Sequence, residues 1–186
     1  MALGNLDYIR QSLADDEELV HVGHFHWMYT VSALLNIVFG VILCIFIIAG
    51  AIMIEPYLPA SLRGSAGPGD SWLAQVRDVN PAIKILAFMV LAFSMFRYAQ
   101  MMIVKVTTEI AITNKRLVYK RGLVARYVGE INIDRIEGVN VLQGILGRLL
   151  NYGRIMVRGM GVGEVVLPPI EDPLKFRRAI ERARSV

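Results

Sequence analysis

Met28–Ile54, MYTVSALLNIVFGVILCIFIIAGAIMI, runs for 27 residues without a charge. As a helix rising 1.5 Å per residue it reaches about 40 Å, more than the ~30 Å hydrocarbon core of a bilayer requires. A buried helix of a soluble protein does not need such a length, so the stretch predicts a tilted transmembrane helix. Trp27 and Tyr29 stand at its start, where aromatic belts form, and Glu55-Pro56 ends it because the residue before proline avoids helical angles. A cleaved signal peptide fits poorly. The first 26 residues carry Arg10 against Asp7, Asp15, Asp16, Glu17 and Glu18, and the apolar run is too long for a signal core.

A second apolar run predicts a second span over 83–104, interrupted by Lys84 near its edge and by Arg97. Both side chains are long enough to reach headgroups from where they stand. Between the spans, residues 55–82 contain Pro56, Pro59, Pro68 and Pro81 with Gly64, Gly67 and Gly69, which reads as an external loop with a short interfacial turn near Ser71–Val76. The whole chain of 186 residues is 55% apolar and 19% charged, short of charge for a soluble domain. Its single cysteine, Cys44, lies inside the first span and excludes an intrachain disulfide or a cysteine-based zinc cluster.

The formal charge of +4 is unevenly divided. Residues 105–186 hold 15 Lys and Arg against eight Asp and Glu, while the loop holds Arg63 and Arg77 and the N-terminal arm only Arg10. By the positive-inside rule the C-terminal part is expected in the cytoplasm, and two spans return the N-terminus to the same side. The expected organisation is a cytoplasmic arm over 1–26, a transmembrane hairpin over 27–104 and a cytoplasmic domain over 105–186.

Beyond residue 104 long apolar runs give way to short ones. KVTTEIAI, RLVYKRG, LVARYVGEINI, GVNVLQ, RIMVRG and EVVLPPI are short β-branched segments separated by glycines or turn residues, which predicts a small antiparallel sandwich or barrel. Ile145, Leu146, Leu149 and Leu150 within QGILGRLLNYG keep helical spacing, closed by Asn151 or Gly153. Asp172 and Pro173 open a terminal helix with Leu174, Phe176, Ile180 and Ala183 on its apolar face.

The segments ITNKRLVYKRGLVAR, EINIDRIEGVNVLQGILGRLLNYG and EDPLKFRRAI, with the arm YIRQSLADDEELVHVGHFHW, closely resemble the bacterial PH-domain membrane proteins, two-span proteins carrying a C-terminal pleckstrin-homology domain. The resemblance covers nearly the whole chain apart from the external loop, and it implies a small all-β PH-like barrel closed by a C-terminal helix and attached to the membrane. It implies no established activity.

Three clusters are candidate sites. Lys115, Arg116, Lys120, Arg121 and Arg126 form a basic hairpin close to the second span, suited to anionic lipid headgroups, to a partner protein, or simply to fixing orientation. Ser32, Asn36, Arg97 and Gln100 stand at matching depth in an antiparallel hairpin, which predicts a hydrogen-bonded clamp or, in an oligomer, an anion-selective constriction around Arg97. His21, His24 and His26 could supply imidazoles to a metal together with Glu17 or Glu18, but their spacing matches no zinc motif and an interfacial role is favoured.

No GxSxG, HExxH, P-loop or dinucleotide fingerprint occurs, and the Gly159–Gly163 hairpin lacks the helix a phosphate cradle needs. No enzyme and no cofactor is therefore expected. Nucleic acid is not expected either, because aromatic residues do not interleave with the basic ones. The expected function is a non-enzymatic adaptor or scaffold of the bacterial inner membrane that binds a partner protein or self-assembles. Lipid-headgroup sensing and a small pore are the alternatives.

Overall fold

The computed structural model describes residues 7–59, 69–122, 127–161 and 163–184. They divide into two compact units, one formed by residues 1–30 with 102–186 and the other by residues 31–101. The discontinuous unit opens with helix α1 (Asp7–Ser12) and strand β1 (Leu19–Val22).

Helix α2 (Trp27–Ile54) follows, ended by a 3₁₀ turn with Pro56 in its first positions. Helix α3 (Trp72–Asp78) is capped by Ser71, whose hydroxyl accepts the Ala74 N–H at 3.4 Å, so the turn expected near Ser71–Val76 is a two-turn helix. Helix α4 (Pro81–Thr107) is longer than the expected 83–104. Asn80 explains its early start: its Oδ1 accepts the Ala82 N–H at 2.9 Å, and Pro81 sits at a first helical position that needs no N–H partner. Both α2 and α4 are long and apolar enough to cross a membrane.

Small residues hold the hairpin together. Ala33 and Gly40 of α2 and Ala87 and Ser94 of α4 are the buried positions of the two helices. A Cβ on Gly40 would stand 2.2 Å from Ser94 Oγ, so only glycine admits the crossing as built.

The other unit continues with β2 (Glu109–Thr113), β3 (Arg116–Arg121) and β4 (Tyr127–Asn132). After a 3₁₀ turn over Ile133–Arg135 come β5 (Ile136–Leu142), α5 (Ile145–Leu149), β6 (Tyr152–Gly159), β7 (Gly163–Val166), β8 (Ile170–Glu171) and α6 (Pro173–Arg184). Two antiparallel sheets result. One has the order β1-β2-β3-β4; the other has β5-β6-β7, with β8 also pairing with β6. The closed barrel expected from the sequence is not found: among the described residues no ladder joins the two sheets, although an isolated bridge between Phe25 and Ile170 links the stretch after β1 to β8.

The core draws on both sheets and on α6. Ile110, Leu117, Ile131, Ile155 and Ile170 form one cluster with Phe176 and Ile180. Strand β2 is buried on both faces, since Ala111 and Val118 on the reverse side are covered by Ile9 of α1. The sequence reads the first 26 residues as a separate arm, yet α1 lies on the first sheet and β1 forms its edge, with Val22 opposite Ala111. Apolar burial on the outer face and backbone pairing at the edge both bring the arm in.

Candidate functional site

The basic hairpin holds the N-terminal arm. Arg116 grips Glu17 with two parallel hydrogen bonds of 2.9 Å, while its Nη1 reaches Glu130 at 2.8 Å and its Nη2 the Ser12 carbonyl at 2.7 Å. Thr113 donates its hydroxyl to Glu17 at 2.7 Å. Burial works against the charge on Glu17, but the bonds from Arg116, Thr113 and the Ala14 N–H outweigh it and hold the carboxyl below its ordinary value. Lys115 pairs with Asp16, and its hydrogen bond keeps that carboxyl low. Lys120 pairs with Glu109 and lies 5.1 Å from the centre of the Tyr8 ring. Three of the five candidate basic residues are thus engaged inside the domain, Arg121 is exposed, and Arg126 lies outside the described residues.

The three histidines occupy three environments. His26 is buried, its ring stacked on Tyr152 at 5.0 Å, and its Nδ1 accepts the Met28 N–H at 3.2 Å at the start of α2. His21 sets its ring edge-on to Phe176, with burial, Lys175 and His24 all lowering its affinity for a proton. His24 is exposed, and its carbonyl accepts the Glu171 N–H at 2.9 Å. Among the described residues no three His, Cys, Asp or Glu side chains group as metal ligands would.

In the hairpin the Asn36 amide donates to the Ser32 carbonyl at 2.7 Å and lies 3.7 Å from Met101 Sδ. Arg97 and Gln100 are exposed, while Ser32 and Asn36 are partly buried. The carbonyl four residues back is within reach of Asn36 without any long-range packing.

A basic groove that the sequence reading missed lies between edge strand β1 and α6. It measures about 340 Å³ and is lined by Val20, His21, Lys175, Arg178, Ala179 and Arg182. Lys175, Arg178 and Arg182 stand at helical spacings of three and four, along one flank of the apolar stripe of α6. That spacing was visible in KFRRAIERAR; the strand opposite was not.

The family described as bacterial PH domain matches residues 22–184. The chain belongs to that family. Comparison with curated proteins and with solved structures returns no match. In this PH domain the hairpin is an insertion between β1 and β2, two strands that pair side by side in the first sheet. The roots of the insertion are tied to each other where they leave the domain, Lys105 Nζ donating to Thr30 Oγ1 at 2.6 Å.

Proposed function

We propose that this bacterial PH-domain protein is a non-enzymatic membrane-anchored adaptor. Its two helices span the inner membrane with both termini in the cytoplasm, and the groove between β1 and α6 receives an acidic, extended protein segment from a partner or from a second copy. The groove itself carries the reading. Lys175, Arg178 and Arg182 line it beside His21, and β1 is an edge strand whose Leu19 and Val20 are exposed. An edge strand offers backbone groups to an added strand, and the cationic flank selects for acidic side chains on it.

The orientation follows from the excess of basic residues after the second span. Headgroup sensing through the basic hairpin draws no support from Lys115, Arg116 and Lys120, whose charges face Asp16, Glu17 and Glu109.

A photo-crosslinking amino acid placed at Val20 of the full chain in living cells tests the adaptor. Discrete products are expected, and they should disappear when Lys175→Glu and Arg178→Glu are combined. A product of twice the chain mass identifies self-assembly; a heavier or lighter one identifies a different partner. Crosslinking at Val20 no different from that at Met160, an exposed turn position away from the groove, refutes the proposal.

A further inference from the structure

The α5 turn shows its apolar side chains to the outside. Ile145 is 88% exposed and Leu149 78%, and Leu142, Leu146 and Leu174 are exposed as well. The turn is rigidly built. Gln143 Nε2 donates to the carbonyls of Tyr152 at 3.0 Å and Gly147 at 3.3 Å, and a Cβ on Gly147 would stand 2.6 Å from the Tyr152 oxygen. Asn151 leaves α5 in the left-handed region at φ 56. A fixed, exposed apolar surface marks an interaction site.

Two features identify what covers it. The turn is fastened to the root of the first span: Tyr152 stacks on His26, and the His26 ring lies 5.3 Å from that of Trp27, the exposed first residue of α2. A tryptophan at the head of an apolar helix belongs at headgroup depth. Arg148 also sits within the apolar turn, facing a groove of about 510 Å³ between Leu142, Leu174 and Arg177. At a lipid interface its stem can lie along apolar chains while the guanidinium reaches phosphate. A dry protein interface would have to bury that charge.

We propose that the α5 turn inserts Ile145, Leu146 and Leu149 into the headgroup–acyl boundary of the membrane that carries the chain, with Arg148 at anionic headgroups. The inference rests on α2 and α4 crossing that membrane, and it makes the PH domain a reader of lipid charge through a surface separate from the basic groove.

Nitroxide accessibility in the full chain tests it. In a Cys44→Ser background, single labels are placed at Ile145→Cys, Leu149→Cys, Met160→Cys and Phe39→Cys, and the protein is put into nanodiscs of mixed zwitterionic and anionic lipid. Met160 and Phe39 are exposed positions of the β6–β7 turn and of α2, and serve as aqueous and acyl references. The ratio of oxygen to nickel-chelate collisions at 145 and 149 should exceed that at 160 by about threefold or more and fall short of that at 39. Adding Arg148→Glu should lower the ratio at 149 in anionic nanodiscs and leave it unchanged in purely zwitterionic ones.

Ratios at 145 and 149 equal to that at 160 overturn the insertion while leaving the spans intact. Labels shielded from both reagents mean that protein covers the turn, which also overturns it. An aqueous reading at 39 instead removes the spans on which the inference rests.

Discussion

In the hairpin, Ala33, Gly40, Ala87 and Ser94 are inside while Phe39, Phe46, Phe88 and Phe93 face out. The PH domain reverses this, enclosing Phe176, Ile110, Ile155 and Ile180. The inversion is the one expected of helices that lie in a membrane. Against water, enclosing large apolar side chains contributes about 25 cal/mol per Å². Against lipid that gain vanishes, and helices associate through close backbone approach, which small residues permit. The α5 turn is a part of the PH domain that follows the hairpin's rule, with Ile145 and Leu149 outward.

The strongest way to break this contrast is Ile180→Asp. It places an unpaired carboxylate in a fully enclosed position and should cost roughly 4 kcal/mol or more. Hydrogen exchange of the full chain in detergent should show β5 and β6 losing protection while α2 and α4 keep theirs. Joint loss in both units would mean that they do not fold independently.

Arg116→Met comes next. It leaves Glu17, whose side chain is 2% exposed, without its main partner and should cost about 3 kcal/mol. Adding Glu17→Gln should recover part of that loss in urea titration of the PH domain's exchange. The carboxyl is held below its ordinary value of 4.5 in the folded protein. Its contribution is therefore complete above that value and is lost as pH falls through the lower folded one. Thermal unfolding followed towards acid should be flatter for Glu17→Gln than for the parent chain.

In the hairpin, Gly40→Ala should cost roughly 1–3 kcal/mol by forcing its Cβ onto Ser94, and Ser94→Gly should restore much of it. The neighbouring Phe39→Ala, which removes a far larger outward side chain, should disturb exchange of α2 less than Gly40→Ala does. The reverse order would mean that the outward aromatics pack against protein.

The smallest effect is expected at Asn151. Its φ of 56 tolerates Asn or Gly, so Asn151→Ala should lose about 1 kcal/mol and Asn151→Gly less, read as the denaturant midpoint of the PH domain.

Features with a local cause were legible from sequence. The uncharged Met28–Ile54 run needs only its own length and composition to predict a helix that could cross a membrane, and the helix is Trp27–Ile54. Turn chemistry at Thr113-Asn114 and helix initiation at Pro173 also lie where the residues themselves require them. Strand β2 was harder to delimit. The β-branched run Lys105–Ile112 gives no local sign that its first residues continue α4 to Thr107.

The candidate sites divide along the same line. Lys115, Arg116 and Lys120 read as a basic cluster, but Asp16, Glu17 and Tyr8, which neutralise or cover them, lie about a hundred positions earlier in the chain. The basic flank of α6 was written in KFRRAIERAR, whereas its role as one wall of a groove depends on β1 arriving opposite.

The sequence alone determined the two apolar helices, the β-rich part that follows them and the terminal amphipathic helix, because length, periodicity and capping act over a few residues. Only the tertiary structure decided that β1 pairs with β2 across the inserted hairpin, that the two sheets share no ladder, and that the basic hairpin clasps the arm. Those outcomes depend on which distant groups satisfy backbone edges and buried charges together, and no local pattern encodes that choice.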